Sequence, residues 1–284
     1  MKTIINYCSG GLGNRLKPMA SCYAISQLTN RELQMYWHPT TRCGGIFNKL
    51  FTNDIKNIEI DKLVELNDVK IYSYQSYIDH DANLNGNHQL KRLSERFPVI
   101  PLSRSNEILT DEAETIIVYD NGFLNGIDSN ITTNFFGVLN PNDKIKSSVK
   151  EFCSQNLINT GVIGVHARGT DFESSGVTAD HYLKMIKMCL VSNPNIKIFL
   201  CSDSKDYESS IKDSLPNNVI IRNKDSYVSK KDSIGTWTNN VETPHESVEE
   251  ALIDLYILSE TTFACYHTDS TFAHIVLEIS KCRN

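Results

Sequence analysis

No run of apolar residues in this chain approaches the roughly 18 that a membrane-spanning helix requires. Met1-Lys2 leads straight into a short strand-like segment, with no apolar stretch of signal-peptide type. These absences set the expectation of a cytoplasmic chain that is neither secreted by the usual route nor inserted in a bilayer. Cysteine pairs at CxxC spacing are also missing. The eight cysteines are scattered, several inside apolar runs such as TIINYCS and IKIFLCSD, where a thiol behaves as a small hydrophobe, so reduced cysteines are expected. Positive charge is scarce: 28 Lys+Arg stand against 34 Asp+Glu, a formal net charge of −6. That balance argues against broad attraction to nucleic acid or anionic lipid, and an anionic ligand would need locally placed Arg or Lys. A GxSxG elbow, a GxxxxGK[ST] phosphate loop and histidines at ligand spacing are absent too, so no metal is expected.

What is present is a globular composition, 284 residues with 40% hydrophobic, long enough for one large domain or two ordinary ones with a real core. The N-terminal segment reads strand (TIINYCS), glycine turn (GGLG), helix (NRLKPMASCYAISQLTN) and strand (ELQMYWH), a β-α-β opening typical of a parallel sheet. From Pro39 to about Asn130 the pattern breaks into short pieces, IEIDKLVEL, KIYSYQSYI, LKRLSERFPVI and TIIVYDNGF, that cannot be ordered into a sheet from sequence. A turn cluster at Leu139–Asp143 precedes the amphipathic stretch KIKSSVKEFCSQN and marks a boundary, with domains expected over 1–140 and 141–284. The second half alternates strands (GVIGVHAR, IKIFLCSD, NNVIIRN, TTFACYHT) with helices, hence α/β: two Rossmann-like domains, each binding ligands at the carboxyl ends of its strands.

Four polar strand ends are the candidate sites. Gly10-Gly11-Leu12-Gly13-Asn14-Arg15 lies between strand and helix, where glycines admit a close ligand and helix N–H groups favour an anion. It is not a dinucleotide fingerprint, because Leu16 stands where the third glycine should be. A tight turn with no ligand accounts for the same pattern. His166-Ala167-Arg168-Gly169-Thr170-Asp171 ends an apolar strand, and an arginine there suits a phosphate through its planar fork. A structural Arg168–Asp171 ion pair and a satisfied core histidine are the bland alternatives. Ser202-Asp203-Ser204 and His267-Thr268-Asp269-Ser270-Thr271 follow two further strands, and helix capping alone explains either. Their coincidence, three of four in one sheet, carries the weight. Asp79-His80-Asp81 has the Asp-x-Asp form of a divalent-ion site, but no clear strand delivers it and it reads as a solvated loop.

In this order and spacing, GGLGNR, HARGTD, FLCSD and LYILSETTFACYHTDSTFAH resemble the GT-B fucosyltransferase superfamily, which holds the α1,2-, α1,6- and protein O-fucosyltransferases and the bacterial nodulation-factor enzyme. The resemblance runs from about Asn6 to Phe272. It implies two Rossmann-like domains facing a central cleft, with an acceptor-side N-terminal domain and a donor-binding C-terminal one. It also implies inverting transfer of L-fucose from GDP-fucose to a glycan hydroxyl, without cofactor or essential metal. Carried over by position, Arg168 holds the donor pyrophosphate, Asp171 closes the motif begun by His166, and Asp203 faces the nucleoside. Ser270 and Thr271 form the helix start beside the phosphates, and Gly11, Gly13 and Asn14 form the loop between donor and acceptor. Many relatives have a second arginine where this chain has Gly169, which makes Arg15 or Arg222 the candidate for the missing charge. The α1,2 enzymes carry Gln where this chain has Arg15, so acceptor and linkage stay open.

The expected catalytic set is Arg168, Asn14 and Glu173. Departure of GDP builds negative charge that Arg168 and helix N–H groups would stabilise. A carboxylate or imidazole would take the acceptor proton, with Glu173 preferred over Asp180 and His181. Donor contacts are expected from Gly11, Gly13, Arg15, His166, Asp171, Asp203, Ser270 and Thr271. The alternatives are another nucleotide-sugar donor on the same scaffold, or a non-catalytic nucleotide- or glycan-binding protein. Oligomeric state is open.

Overall fold

The computed structural model describes residues 1–85, 88–169, 177–227, 229–230 and 241–283. The chain divides into two compact units: Met1–Thr40 with Ile46–Asn140, and Thr41–Gly45 with Pro141–Asn284.

In the first unit, β1 (Thr3–Tyr7), α1 (Leu12–Thr29) and β2 (Glu32–Tyr36) form the β-α-β opening. The helix begins after Gly11, whose extended backbone offers no capping side chain, and ends at Asn30 in the left-handed conformation that Asn tolerates. There follow α2 (Phe47–Leu50), β3 (Lys56–Asn57), α3 (Ile60–Val64), β4 (Val69–Tyr72), α4 (Gln75–Asn85), α5 (His88–Arg96) and β5 (Val99–Ile100). A 3-10 helix at Leu102–Thr110, β6 (Thr115–Val118) and α6 (Ser129–Val138) complete it. The strands pair in the order β3-β2-β1-β6-β4-β5, all parallel. Alternate residues of the central strands feed two cores: Ile5 and Tyr7 with Ile71 and Ile117 in one, Ile4 with Tyr72, Ile116 and Val118 in the other.

The pieces that defied ordering now have a cause. IEIDKLVEL and LKRLSERFPVI are mostly the short helices α3 and α5, and α5 buries only Leu90 and Leu93. KIYSYQSYI is β4 running into α4. The solvated-loop reading of Asp79–Asp81 is corrected: these residues lie in α4, and Asp81 is 3% exposed, accepting a hydrogen bond from Ser9 Oγ at 2.9 Å. Asp79 lies instead within 3.5 Å of the exposed Lys91 ammonium.

In the second unit, α7 (Asp143–Asn156), β7 (Ile163–Ala167), α8 (Ala179–Ser192), β8 (Ile198–Ser202), α9 (Lys205–Ser214) and β9 (Val219–Ile220) alternate. A small antiparallel pair, β10 (Ser229–Lys230) with β11 (Val241–Glu242), precedes α10 (His245–Leu258), β12 (Thr262–Cys265) and α11 (Thr271–Lys281). The main sheet is parallel, ordered β12-β7-β8-β9. Val165, Ala167, Ile198 and Leu200 pack against Tyr182 and Ile186 of α8 and Ile211 of α9. Both units are doubly wound α/β sheets.

Candidate functional site

In the second unit the chain runs outward from β7 through β8 to β9, then returns to place β12 on the other side of β7. The reversal falls between β12 and β7, and ligands of open α/β sheets bind outside the strand ends at such a point. Three polar strand ends gather there: Arg168-Gly169 after β7, Asp203-Ser204 after β8, and His267–Ser270 after β12. Ala167 and Ser202 are register partners, so Arg168 and Asp203 leave adjacent strands together. The Arg168 backbone N–H donates to Tyr182 Oη at 3.0 Å, and its Nε lies 3.8 Å from Asp203 Oδ2. The other carboxylate oxygen, Oδ1, accepts the Gly169 N–H at 2.7 Å.

His166 is 5% exposed, its ring 4.5 Å from that of Phe272, and its Nδ1 has no hydrogen-bond partner among the described residues. Burial lowers its pKa to about 4; Asp203 opposes that shift and Arg168 adds to it. Ser270 is buried and caps α11, its Oγ accepting the Ala273 N–H at 3.3 Å, so its hydroxyl serves the helix. Thr271 is the first residue of that helix.

A buried ionic network that the sequence did not reveal holds the β8 end. Lys224, in a coil after β9, donates to the Ser202 carbonyl at 2.7 Å, to Asp254 Oδ2 at 2.9 Å and to Glu208. Glu208 in turn accepts the Ser202 N–H at 2.8 Å, while Ser202 Oγ donates to the Ala167 carbonyl. Burial works against the Lys224 charge, but Asp254 and Glu208 hold its pKa above the usual range. Every polar group of Ser202 is thus engaged, which fixes the turn that carries Asp203. No spacing pattern could have found Lys224, because its partners come from α9 and α10.

Two arginines expected to supply extra positive charge are corrected. Arg222 is tied to Glu250 and, at 2.9 Å from Nε, to Asp254 Oδ1. Arg15, in the first unit, is fully buried: Nε donates to the Gly10 carbonyl at 3.0 Å, one terminal nitrogen to the His38 carbonyl at 2.8 Å, and the other to Thr40 Oγ1 at 3.0 Å. Its guanidinium also lies 4.9 Å from the centre of the Trp37 ring. Arg15 staples the β1 and β2 ends and does not present a phosphate fork. Gly10, at φ 71°, makes the turn, and a Cβ there would crowd the Asn14 side chain at 2.9 Å. Gly11 and Gly13 open α1, and Asn14 follows in its first turn.

Asp171 and Glu173 lie outside the described residues. Asp180 and His181 sit exposed in the first turn of α8. Among the described residues no group of three or more His, Cys, Asp or Glu side chains could hold a metal ion, and no helix is long and apolar enough to cross a membrane.

No protein-family profile matches the chain, and no curated protein matches it in sequence. Solved structures do. NodZ α-1,6-fucosyltransferase co-crystallised with GDP matches with a TM-score of 0.64 at 18% identity, over 98% of this chain and 92% of that one. Fucosyltransferase NodZ from Bradyrhizobium gives 0.62 at 18% identity, over 97% and 92%. POFUT1 in complex with GDP-fucose gives 0.57 at 13% identity, over 98% and 94%. With its two doubly wound parallel sheets, the chain has the GT-B type of fold that these fucosyltransferases share.

Proposed function

We propose that this chain is an inverting glycosyltransferase that moves L-fucose from GDP-fucose to a hydroxyl of a glycan acceptor. The second unit (141–284) would bind the donor and the first (1–140) the acceptor. The observation that carries the reading is the convergence of Arg168, Asp203 and the α11 start at the β12/β7 reversal. Support comes from a fold shared with proteins solved with GDP and GDP-fucose.

Cleaving the anomeric C–O bond leaves positive charge on the sugar ring and negative charge on departing GDP. Groups already aimed at that charge lower the barrier most. Arg168, kept in place by Tyr182 and Asp203, and the N–H groups of α11 after Ser270 are those groups. Asp203 faces the nucleoside, His166 lines the crevice beside Phe272, and Asp171 and Glu173 complete the set as motif carboxylate and acceptor base. Asn14 orients the acceptor or the leaving sugar. The reaction needs no metal in this scheme, and the protein works in the cytoplasm.

A ligand panel tests the reading. GDP and GDP-fucose should raise the melting temperature while UDP, CMP and NAD do not; an equal or absent response would overturn the donor assignment, and a UDP response would point to another nucleotide sugar. Slow release of GDP from GDP-fucose in the presence of EDTA should disappear in Arg168→Ala while the protein stays folded. Release that persists unchanged in that variant would remove Arg168 from the mechanism.

A further inference from the structure

Buried polar atoms in folded proteins almost always have partners, so a cluster of partnerless ones points to a group that arrives from outside. Such a cluster sits at the carboxyl ends of β1 and β2 in the first unit. Asn6 Oδ1, Asn14 Oδ1 and His38 Nδ1 are all buried with no hydrogen-bond partner among the described residues. Common links tie them together: Asn6 Nδ2 donates to the Arg15 carbonyl at 3.2 Å, Arg15 donates to the His38 carbonyl at 2.8 Å, and Asn14 precedes Arg15 in the chain. A fourth acceptor follows from sequence. Pro18 lies inside α1 and has no N–H, so the Asn14 carbonyl lacks its helical donor four residues on.

The chemistry of this set is one-sided. Both amide oxygens and the Asn14 carbonyl only accept, whereas a phosphate or carboxylate brings only acceptors of its own. The Arg15 guanidinium cannot recruit an anion, since it is committed to Gly10, His38 and Thr40. The same buried guanidinium opposes a cationic ligand. What remains is a neutral ligand with several hydroxyl donors. His38 suits that role: its ring packs at a tilt against Tyr36, centroids 4.7 Å apart, and stays neutral through burial, Arg15 adding to the effect and Asp81 opposing it. Asp81 is itself held by Ser9, two residues after β1.

We infer that His38, with Asn14, forms a hydroxyl-binding subsite for a neutral sugar at the β1 and β2 ends, His38 Nδ1 exchanging a hydrogen bond directly with a sugar hydroxyl. The inference rests on placing the glycan acceptor in the first unit, and it adds a contact residue that the glycine-loop motif does not contain.

Protein carrying nitrogen-15-labelled histidine provides the test. Its ring-nitrogen resonances are followed during separate titrations with galactose, N-acetylglucosamine and lactose, with inorganic phosphate as an all-acceptor probe and methylammonium as a cationic one. The His38 signal, assigned by its absence in His38→Phe, should move saturably with at least one sugar and with neither control. His38→Phe should weaken binding of that sugar about tenfold or more, roughly the loss of one good hydrogen bond, and His38→Gln should recover part of it. No response to any sugar, an equal response to phosphate, or sugar binding by folded His38→Phe at wild-type strength would each overturn the subsite. Should His38→Phe fail to fold, His38→Gln and the wild-type titration decide. GDP is titrated into the same samples. A sugar response without GDP binding would overturn the donor assignment alone, and GDP binding without a sugar response would overturn the subsite alone.

Discussion

Gly169 occupies space that a second guanidinium would need. A Cβ there would come within 2.7 Å of the Ser204 Cβ and 3.1 Å of the Tyr207 ring, and both neighbours are fixed, Ser204 as the cap of α9 and Tyr207 by its bond to the Val177 carbonyl. Gly169→Arg, which the resemblance to fucosyltransferases suggests as an improvement, should therefore destabilise by ~1–3 kcal/mol through overpacking and should not tighten GDP binding. Urea denaturation with a GDP titration checks both, and a stable, tighter-binding variant would contradict the packing argument.

His166 and His38 make a second residue-scale prediction. Burial lowers each from the ordinary 6.5 to about 4. The unfolded chain binds more protons than the folded one between those values, so stability rises with pH there. Their contribution is complete above about pH 6.5 and is lost as pH falls toward 4, each by at most ~3 kcal/mol. The midpoint of urea unfolding should drop over that window, and less steeply in His166→Phe, which keeps a ring against Phe272. An unchanged slope in that variant would assign the acid sensitivity to other groups.

At the scale of the element, α1 depends on a staple that runs back to the strands on either side of it. Arg15 uses three nitrogens in three directions, with Trp37 against its face. A lysine cannot reproduce that fork, so Arg15→Lys should cost about 2–4 kcal/mol by leaving buried carbonyls unpaired. GDP-induced stabilisation, which the proposed donor site assigns to the second unit, should survive in that variant. Loss of GDP binding with stability intact would instead return Arg15 to the donor site. The strand-glycine-helix order around Arg15 was legible from hydrophobic periodicity, but the arginine's destination was not. A basic residue at a strand end reads the same whether it faces a ligand or its own backbone, and only the position of the His38 carbonyl and Thr40 distinguishes the two. Asp81 shows the converse: with a polar stretch after it and no clear strand to deliver it, the sequence reads as a solvated loop, yet Ser9, 72 positions away, meets it in the interior.

Over the whole molecule, the most consequential departure from chain order is the short segment Thr41–Gly45, which belongs to the second unit although residues on both sides of it belong to the first. The Gly44 N–H donates to the Thr243 carbonyl at 2.7 Å, and the Thr243 N–H to the Thr41 carbonyl at 2.8 Å. A Cβ on Gly44 would lie 2.7 Å from the Thr243 oxygen and 2.9 Å from the His245 nitrogen, both backbone atoms that cannot swing aside. Gly44→Ala should lower stability by about 1–3 kcal/mol and speed hydrogen exchange at Thr243, which mass spectrometry can follow. Unaltered exchange there would show that the pairing does not matter.

By itself the sequence determined the β-α-β opening and the alternation of strands and helices in the second half, hence parallel pairing there, because periodicity and turn chemistry are local properties of the chain. It also limited the available charge: at a net −6, any anion must be met by a few placed groups. Tertiary structure alone decided which of the candidate arginines stay near a strand end. Arg168 stays at the crevice beside Asp203, while Arg15 and Arg222 are drawn inward. A buried charge or hydrogen-bonding group is satisfied by whatever the fold brings within about 3 Å, and residues that far apart in sequence leave no pattern to read.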